Sequence, residues 1–250
     1  YIIFGLGTGT VNFNSGRLEH VSQYTSNLVQ NGGALQLGPD DGTGEMHMEG
    51  AYQLTAAGTL ELDLAGPTLE NFDLLRVDQP STLAGALKLG ILGSYNPAYL
   101  HAHEVITVPQ INGIDGIFKS IDGVAFQSNK YLAVTYDANS VFVTAALPAD
   151  TNLDGHVDFA DLLTVAQNYG QNGMTWADGE FSGNGNIGFE DLLLAAQNYG
   201  DHLVLGDVWN DSEMHARFDA DWQTALMSVP EPGALSMLVL AGIVLKRRTR

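Results

Sequence analysis

Two stretches thirty residues apart constrain this chain more than any other feature. GHVDFADLLTVAQNYG begins at Gly155 and GNIGFEDLLLAAQNYG at Gly185, and ten of their sixteen positions are identical. A repeat of this length means that one structural unit is used twice. Each copy places apolar residues at helical spacing: Leu162, Leu163, Ala166 and Tyr169 in the first, Leu192, Leu193, Ala196 and Tyr199 in the second. Each ends in Asn-Tyr-Gly, where Gly170 and Gly200 suit the left-handed C-cap conformation. Each copy therefore reads as a polar loop followed by one short amphipathic helix. One such helix cannot bury its apolar face alone. Two related by a pseudo-twofold can bury theirs against each other.

The loop ahead of the first helix is DTNLDGHVDFAD, from Asp150. Its oxygen-bearing residues recur at the spacing of a calcium loop. Asp150, Asn152 and Asp154 take positions 1, 3 and 5, and Gly155 at position 6 permits the sharp turn. His156 offers its backbone carbonyl at position 7, Asp158 stands at position 9, and Asp161 closes the loop at position 12 inside the first helical turn. Four carboxylates in one loop repel each other unless a cation neutralises them, so metal binding and folding are expected to be coupled. An Asp/Asn/Gly turn that caps a helix explains part of this stretch but not the whole register. The second copy offers Glu180, Ser182, Asn184, Asn186 and Asp191, with Gly188 where the first has Asp158. Two carboxylates remain there, so the second site is expected to be weak.

The rest of the chain has a different texture. Residues 1–147 read as all-β, with short period-two runs punctuated by Gly, Asn, Thr and Ser. In GTLELDLAG, Leu60, Leu62 and Leu64 alternate with Thr59, Glu61 and Asp63, and a similar one-sided pattern surrounds Leu83, Leu87 and Leu89. YLAVTYDANSVFVTAAL reads as two strands about an Asp-Ala-Asn turn. No strict repeat chooses among sandwich, barrel and solenoid. Residues 148–200 form the duplicated module, 201–228 a polar linker and 229–250 a tail. That tail holds Pro230, Glu231 and Pro232, a twelve-residue apolar run from Ala234 to Leu245, and then KRRTR. The run spans about 18 Å as helix against a hydrocarbon core of roughly 30 Å.

Charge excludes one class of partner. The chain carries 29 acidic against 10 basic residues, a formal charge of −19, and four of the bases lie in the last five residues. Such a surface does not favour nucleic acid. There is no Cys, so disulfides, thiolate metal sites and Cys nucleophiles are excluded. The chain starts at Tyr, and is expected to be a fragment or a processed product. Other candidate chemistry has plainer explanations. GLGTGT lacks the Lys and helix of a phosphate loop. His101 and His103, beside Glu104, read as surface histidines in a loop–strand junction. Glu61, Asp73 and Asp78 read as a solvated strand face rather than a glycosidic acid pair. No catalytic residue is assigned, and the chain is expected to be non-enzymatic.

Three resemblances follow from these residues. The duplicated loop-plus-helix, without a preceding helix, resembles a dockerin type I module of the kind found in planctomycete surface proteins. That implies calcium as cofactor and a cohesin-like partner, although Phe159, Ala160, Phe189 and Glu190 stand where cellulosomal dockerins use hydroxyl residues for cohesin recognition. Pro230-Glu231-Pro232, the apolar run and Lys246-Arg247-Arg248 resemble a PEP-CTERM sorting signal. That implies transient membrane insertion, an exosortase-type processing enzyme and export to the cell envelope or surface. GGALQLGPDDGTGEMHMEGAYQLTAAGTLELDLAGPTLENFDLLRV, with LAGALKLGIL and GIFKSIDG, resembles the C-terminal end of autotransporter-like passengers. The fold class so implied is mainly β, the end of a right-handed parallel β-helix with a capping β-sandwich-like segment. A small α dockerin-like module and a C-terminal hydrophobic helix follow it. The expected function is a surface scaffold or adhesin-like stalk that meets a cohesin-like protein or a surface polysaccharide. The alternative is the accessory end of a polysaccharide-degrading enzyme whose dockerin docks to a cohesin.

Overall fold

Alternation of buried leucines with half-buried polar residues builds the first half of the chain. The computed structural model describes residues 2–4, 9–127, 129–203 and 211–228. The chain divides into two units: Tyr1–Val124 with Leu132–Ala145, and Ala125–Tyr131 with Ala146–Arg250. In the first unit the strands run as successive coils of three. These are β1 (Ile2–Phe4), β2 (Thr10–Phe13) and β3 (Arg17–Glu19); then β4 (Val21–Tyr24), β5 (Asn27–Gln30) and β6 (Gly33–Gln36). The third coil is β7 (Glu45–Met48), β8 (Tyr52–Leu54) and β9 (Gly58–Leu64); the fourth is β10 (Leu74–Val77), β11 (Ser81–Leu83) and β12 (Ala86–Ile91). The fifth is β13 (Ala102–Thr107), β14 (Ile114–Gly116) and β15 (Ser120–Asp122). Each coil adds one strand to each of three parallel sheets.

Register places like on like. Leu18, Leu35, Leu60, Leu87 and Ile121 lie one above another through the five coils. Leu35, Leu60 and Leu87 are completely buried. Burying each such side chain contributes about 1.5–3 kcal/mol. The buried hydroxyls of Ser22 and Thr25 have no hydrogen-bond partner among the described residues, whereas the larger polar groups inside are engaged. Gln30, fully buried, donates from Nε2 to the carbonyls of Gly33 (3.0 Å) and Thr59 (2.9 Å), and its Oε1 accepts from the Tyr52 hydroxyl (2.6 Å). One corner of the stack is a column of glycines, Gly16, Gly33, Gly58 and Gly85. A Cβ on Gly33 would stand 2.5 Å from the Gly16 carbonyl oxygen, and one on Gly85 would stand 2.4 Å from that of Gly58. Only residues without a side chain let successive coils approach this closely. After the fifth coil the chain returns as β17 (Lys130–Tyr136) and β18 (Ser140–Ala146), and β18 pairs antiparallel with β13. The tip between them is tied by Asp137, whose Oδ1 accepts from the N–H groups of Asn139 (2.7 Å) and Ser140 (2.6 Å).

The second unit contains β16 (Ala125–Gln127), which pairs antiparallel with the start of β17, and, among the described residues, three α-helices. These are α1 (Phe159–Gln167), α2 (Phe189–Asn198) and α3 (Asp211–Ser228). The buried faces of α1 and α2 are Leu162, Val165 and Ala166, and Leu192, Ala195 and Ala196. Leu163, Tyr169, Leu193 and Tyr199 are only half-buried, so the apolar stripe is narrower than the sequence spacing implied. Trp176 fills the space beneath the first loop. Its indole N–H donates to the Asp150 carbonyl (2.6 Å), and its ring meets Phe181 edge-on.

The expected fold class requires correction. What forms is a mostly β chain of three sheets in which no capping β-sandwich-like segment occurs among the described residues; the antiparallel return of β17 and β18 extends one sheet instead. Nor is there a C-terminal hydrophobic helix among them. The last described helix, α3, lies in the segment expected as a linker and carries Asp211, Glu213, Arg217, Asp219 and Asp221. No helix of the described residues is long and apolar enough to cross a membrane. The expected sorting tail, with Pro230, Glu231 and Pro232, lies outside the described residues.

One buried carboxyl in the first unit makes stability respond to pH. Asp73 is fully buried and accepts from the N–H groups of Gly44 (2.6 Å) and Asp63 (2.9 Å). Burial pushes it up from 3.8 to about 7, a shift that those two hydrogen bonds only partly oppose. The native chain holds this proton where the unfolded chain has released it. The stability this proton confers is complete below the unfolded value and is lost as pH rises through about 7. Chemical denaturation followed by the strand signal in circular dichroism should give a higher midpoint at about pH 5 than at about pH 8. Asp73→Asn should narrow that difference.

Candidate metal centre

Each loop is a cage of N–H groups folded onto carboxylates. In the first, Asp150 accepts from the backbone N–H of Asp154 (3.2 Å, Oδ1) and of Gly155 (2.9 Å, Oδ2). Asn152 Oδ1 accepts from the Asp154 N–H (3.0 Å), and its Nδ2 donates to Asp154 Oδ2 (2.9 Å). The His156 N–H donates to Asp154 Oδ1 (2.9 Å). Positions 1, 3 and 5 are thereby drawn toward one another. Gly155 has φ 83°, as its place in the turn requires, and Leu153 has φ 57°, which its residue type does not signal.

Asp161 joins the loop to its helix. Its Oδ1 accepts from the N–H (2.8 Å) and hydroxyl (2.6 Å) of Thr151, and its Oδ2 accepts from the Asp158 N–H (2.9 Å). Asp158 is the N-cap of α1, and its Oδ1 accepts from the Ala160 N–H (2.8 Å). The candidate ligands at positions 9 and 12 thus form a capping box as well. Both readings weighed for this stretch, a helix cap and an oxygen loop, describe the same atoms.

The second copy repeats the frame. Glu180 Oε1 accepts from the Asn184 N–H (2.9 Å) and the Ser182 hydroxyl (2.8 Å). Asn184 Oδ1 accepts from the Asn186 N–H (2.7 Å). Asp191 accepts from the N–H groups of Phe181 (2.8 Å), Ser182 (3.0 Å) and Gly188 (2.8 Å). Four backbone donors recur at the same positions in both loops: 5 to 1, 7 to 5, and 2 and 9 to 12. What differs is charge, because Asn184 and Gly188 replace Asp154 and Asp158.

The two loops also hold each other. The Gly170 N–H, after α1, donates to the Ile187 carbonyl in the second loop (2.8 Å). The Gly200 N–H, after α2, donates to the Val157 carbonyl in the first (2.8 Å). Return bonds run from Ile187 N–H to the Gln171 carbonyl (3.0 Å) and from Val157 N–H to the Asp201 carbonyl (2.9 Å). Val157 and Ile187, at position 8 of each loop, are buried between these contacts. Gly170 and Gly200 reach them with φ 83° and 93°, which is the geometry expected of each Asn-Tyr-Gly ending.

Electrostatics separates the positions. Asp150 and Asp161 are fully buried, and among the described residues no basic side chain pairs with either. Burial raises Asp150 to about 6, with the charges of Asp161 and Asp154 adding to the rise. Burial likewise raises Asp161, Glu180 and Asp191. A hard divalent ion offsets both causes at once, and the donor set of carboxylates, amide and carbonyl oxygens suits calcium. This is the respect in which the residues fit the group: two buried anions of the first loop have no other counter-charge. Among the described residues, no three His, Cys, Asp or Glu side chains are already gathered into a metal-holding group.

Thr151 was not legible as part of the site. It lies at position 2, where calcium loops make no demand on the side chain, yet its hydroxyl locks the closing carboxylate. His202 was also missed, since it lies beyond the duplicated stretch; it bridges His156 across the clasp. Comparison with known protein families finds no matching family, and comparison with curated proteins finds no matching relative.

Framework and ligand residues should separate experimentally. In chelator, Asp161→Asn should lower stability by about 1–3 kcal/mol, because buried N–H groups lose an acceptor. Exposed Asn152→Ala should change it by less than about 0.5 kcal/mol in chelator while weakening calcium binding. Urea titrations with and without calcium measure both.

Proposed function

We propose that residues 148–203 are a calcium-stabilised pair of interlocked loops, in the same chain as a coiled β stack, in a non-enzymatic, exported surface scaffold. The observation that carries this reading is the pair of buried carboxylates, Asp150 and Asp161, with no basic partner among the described residues. Unpaired buried anions are costly, and a bound cation removes that cost. The first loop is the stronger site, since it keeps four carboxylates where the second keeps two. The second serves chiefly as the packing partner that holds Val157 and the first loop in place.

The coil stack supports the scaffold reading in a limited sense. Its interior is filled by leucine, valine and methionine side chains, and the fully buried Gln30 is engaged in hydrogen bonds to backbone. A calcium-dependent module on such a frame suits contact with a cohesin-like protein or a surface polysaccharide, both of which a calcium-dependent pull-down would reveal. Calcium in excess of its dissociation constant stabilises by mass action, by about 2.7 kcal/mol at a hundredfold excess. Thermal melts of the intact chain should therefore show the helical transition moving up with millimolar calcium and back down with chelator. A transition that ignores both additions would refute the reading.

A further inference from the structure

The first loop is clasped through an imidazole pair that the oxygen loop does not use. His156 and His202 face each other across an antiparallel bridge. The flanking hydrogen bonds run from Val157 N–H to the Asp201 carbonyl (2.9 Å) and from Leu203 N–H to the Gly155 carbonyl (2.9 Å). That pattern makes the two histidines a non-hydrogen-bonded pair, the kind whose side chains stand closest on one face. Their rings are nearly parallel, 12° apart, with centroids at 6.2 Å. His202 Nδ1 lies 3.1 Å from the Gly200 carbonyl, which can only accept. Nδ1 therefore carries a proton, which leaves Nε2 as the lone-pair nitrogen of the neutral ring. A carbonyl partner on one ring nitrogen is also how metal-ligating histidines are oriented.

Both rings line a cleft of about 190 Å³ that Asp158, Asp201, Arg217 and Asp221 also line. The duplication supplies an internal comparison. The equivalent bridge in the second copy joins Asn172 and Asn186, thirty residues before His202 and after His156. The same backbone clasp is made with amides, so the fold does not require imidazoles there.

We infer that the His156–His202 pair is a second cation site, selective for a borderline transition ion such as Zn²⁺ and separate from the oxygen loop. An ion bound to both rings at about 2.0–2.1 Å would hold their centroids roughly 5–6 Å apart, close to the separation found, and the nearly parallel rings would have to rotate to aim their in-plane lone pairs at one ion. Two imidazoles leave the remaining positions to water and to a carboxylate of the cleft, and imidazole suits Zn²⁺ far better than it suits calcium. Such an ion would pin the segment after α2 to position 7 of the first loop.

The test is calorimetric titration of the intact chain with Zn²⁺, once in calcium-saturated buffer and once without calcium. The expected result is a saturable one-to-one step in the micromolar range in both buffers. His156→Asn and His202→Asn, which install the residues of the second copy, should each weaken it at least tenfold, while Asn172→Ala should leave it unchanged. Survival of the step without calcium separates this site from the calcium reading, whichever way that reading falls. Absence of a saturable step, or a step indifferent to both histidine variants, would overturn the inference. Equal melting temperatures of the variants and the parent in chelator would show that the loss is not one of folding.

Discussion

Two acids buried in one short loop, with no base paired to either among the described residues, set the terms for the second unit. Asp150 closes the turn by accepting from Gly155, and Asp161 ties that turn to α1 through Thr151 and Asp158. Neither could be replaced by an apolar residue without orphaning the N–H groups it satisfies. Neither is comfortable as an anion without a cation. The loop is thus held by groups whose charge no side chain among the described residues balances, and in the proposed function a divalent ion supplies that balance.

The duplication turns a local device into a unit. A single loop and helix would leave position 8 and the apolar stripe of the helix exposed. The crossed hydrogen bonds of Gly170 and Gly200 bury Val157 and Ile187 together and set α1 against α2. Loss of carboxylates in the second copy does not undo this, because the crossed bonds are made by backbone. The second loop could therefore shed ligand charge and keep its place in the fold. The first unit solves its packing by stacking instead, with leucine over leucine and glycine over glycine.

Legibility followed periodicity. Leu60, Leu62 and Leu64 announced a one-sided strand, and the Asp-Ala-Asn tip between β17 and β18 announced a hairpin; both are where the pattern placed them. The coils themselves were hidden because they grow. Val11 pairs with Leu28, Leu28 with Tyr52, Leu54 with Leu83 and Ser81 with Ile114, so successive coils advance by 17, 24, 29 and 33 residues. No fixed period survives such variable corners. The glycine column Gly16, Gly33, Gly58 and Gly85 was the one signal that could have revealed the stacking. In the loops, side chains at ligand positions were readable, since spacing alone defines them. Thr151 and the crossed clasp were not, because they act through backbone geometry and contacts thirty residues apart. The segment 211–228 read as a linker because its charges mask the few residues, Phe218, Trp222 and Ala225, that seat α3.

The most direct measurement is calorimetric titration of the intact chain with calcium, beginning from chelated protein. The account predicts saturable heat with at least one equivalent bound, lost when Asp150 becomes Ala in a chain that still shows its β signal. A flat titration at millimolar calcium would mean that Asp150 and Asp161 are only a helix cap and a turn, and that the duplicated unit stands without metal.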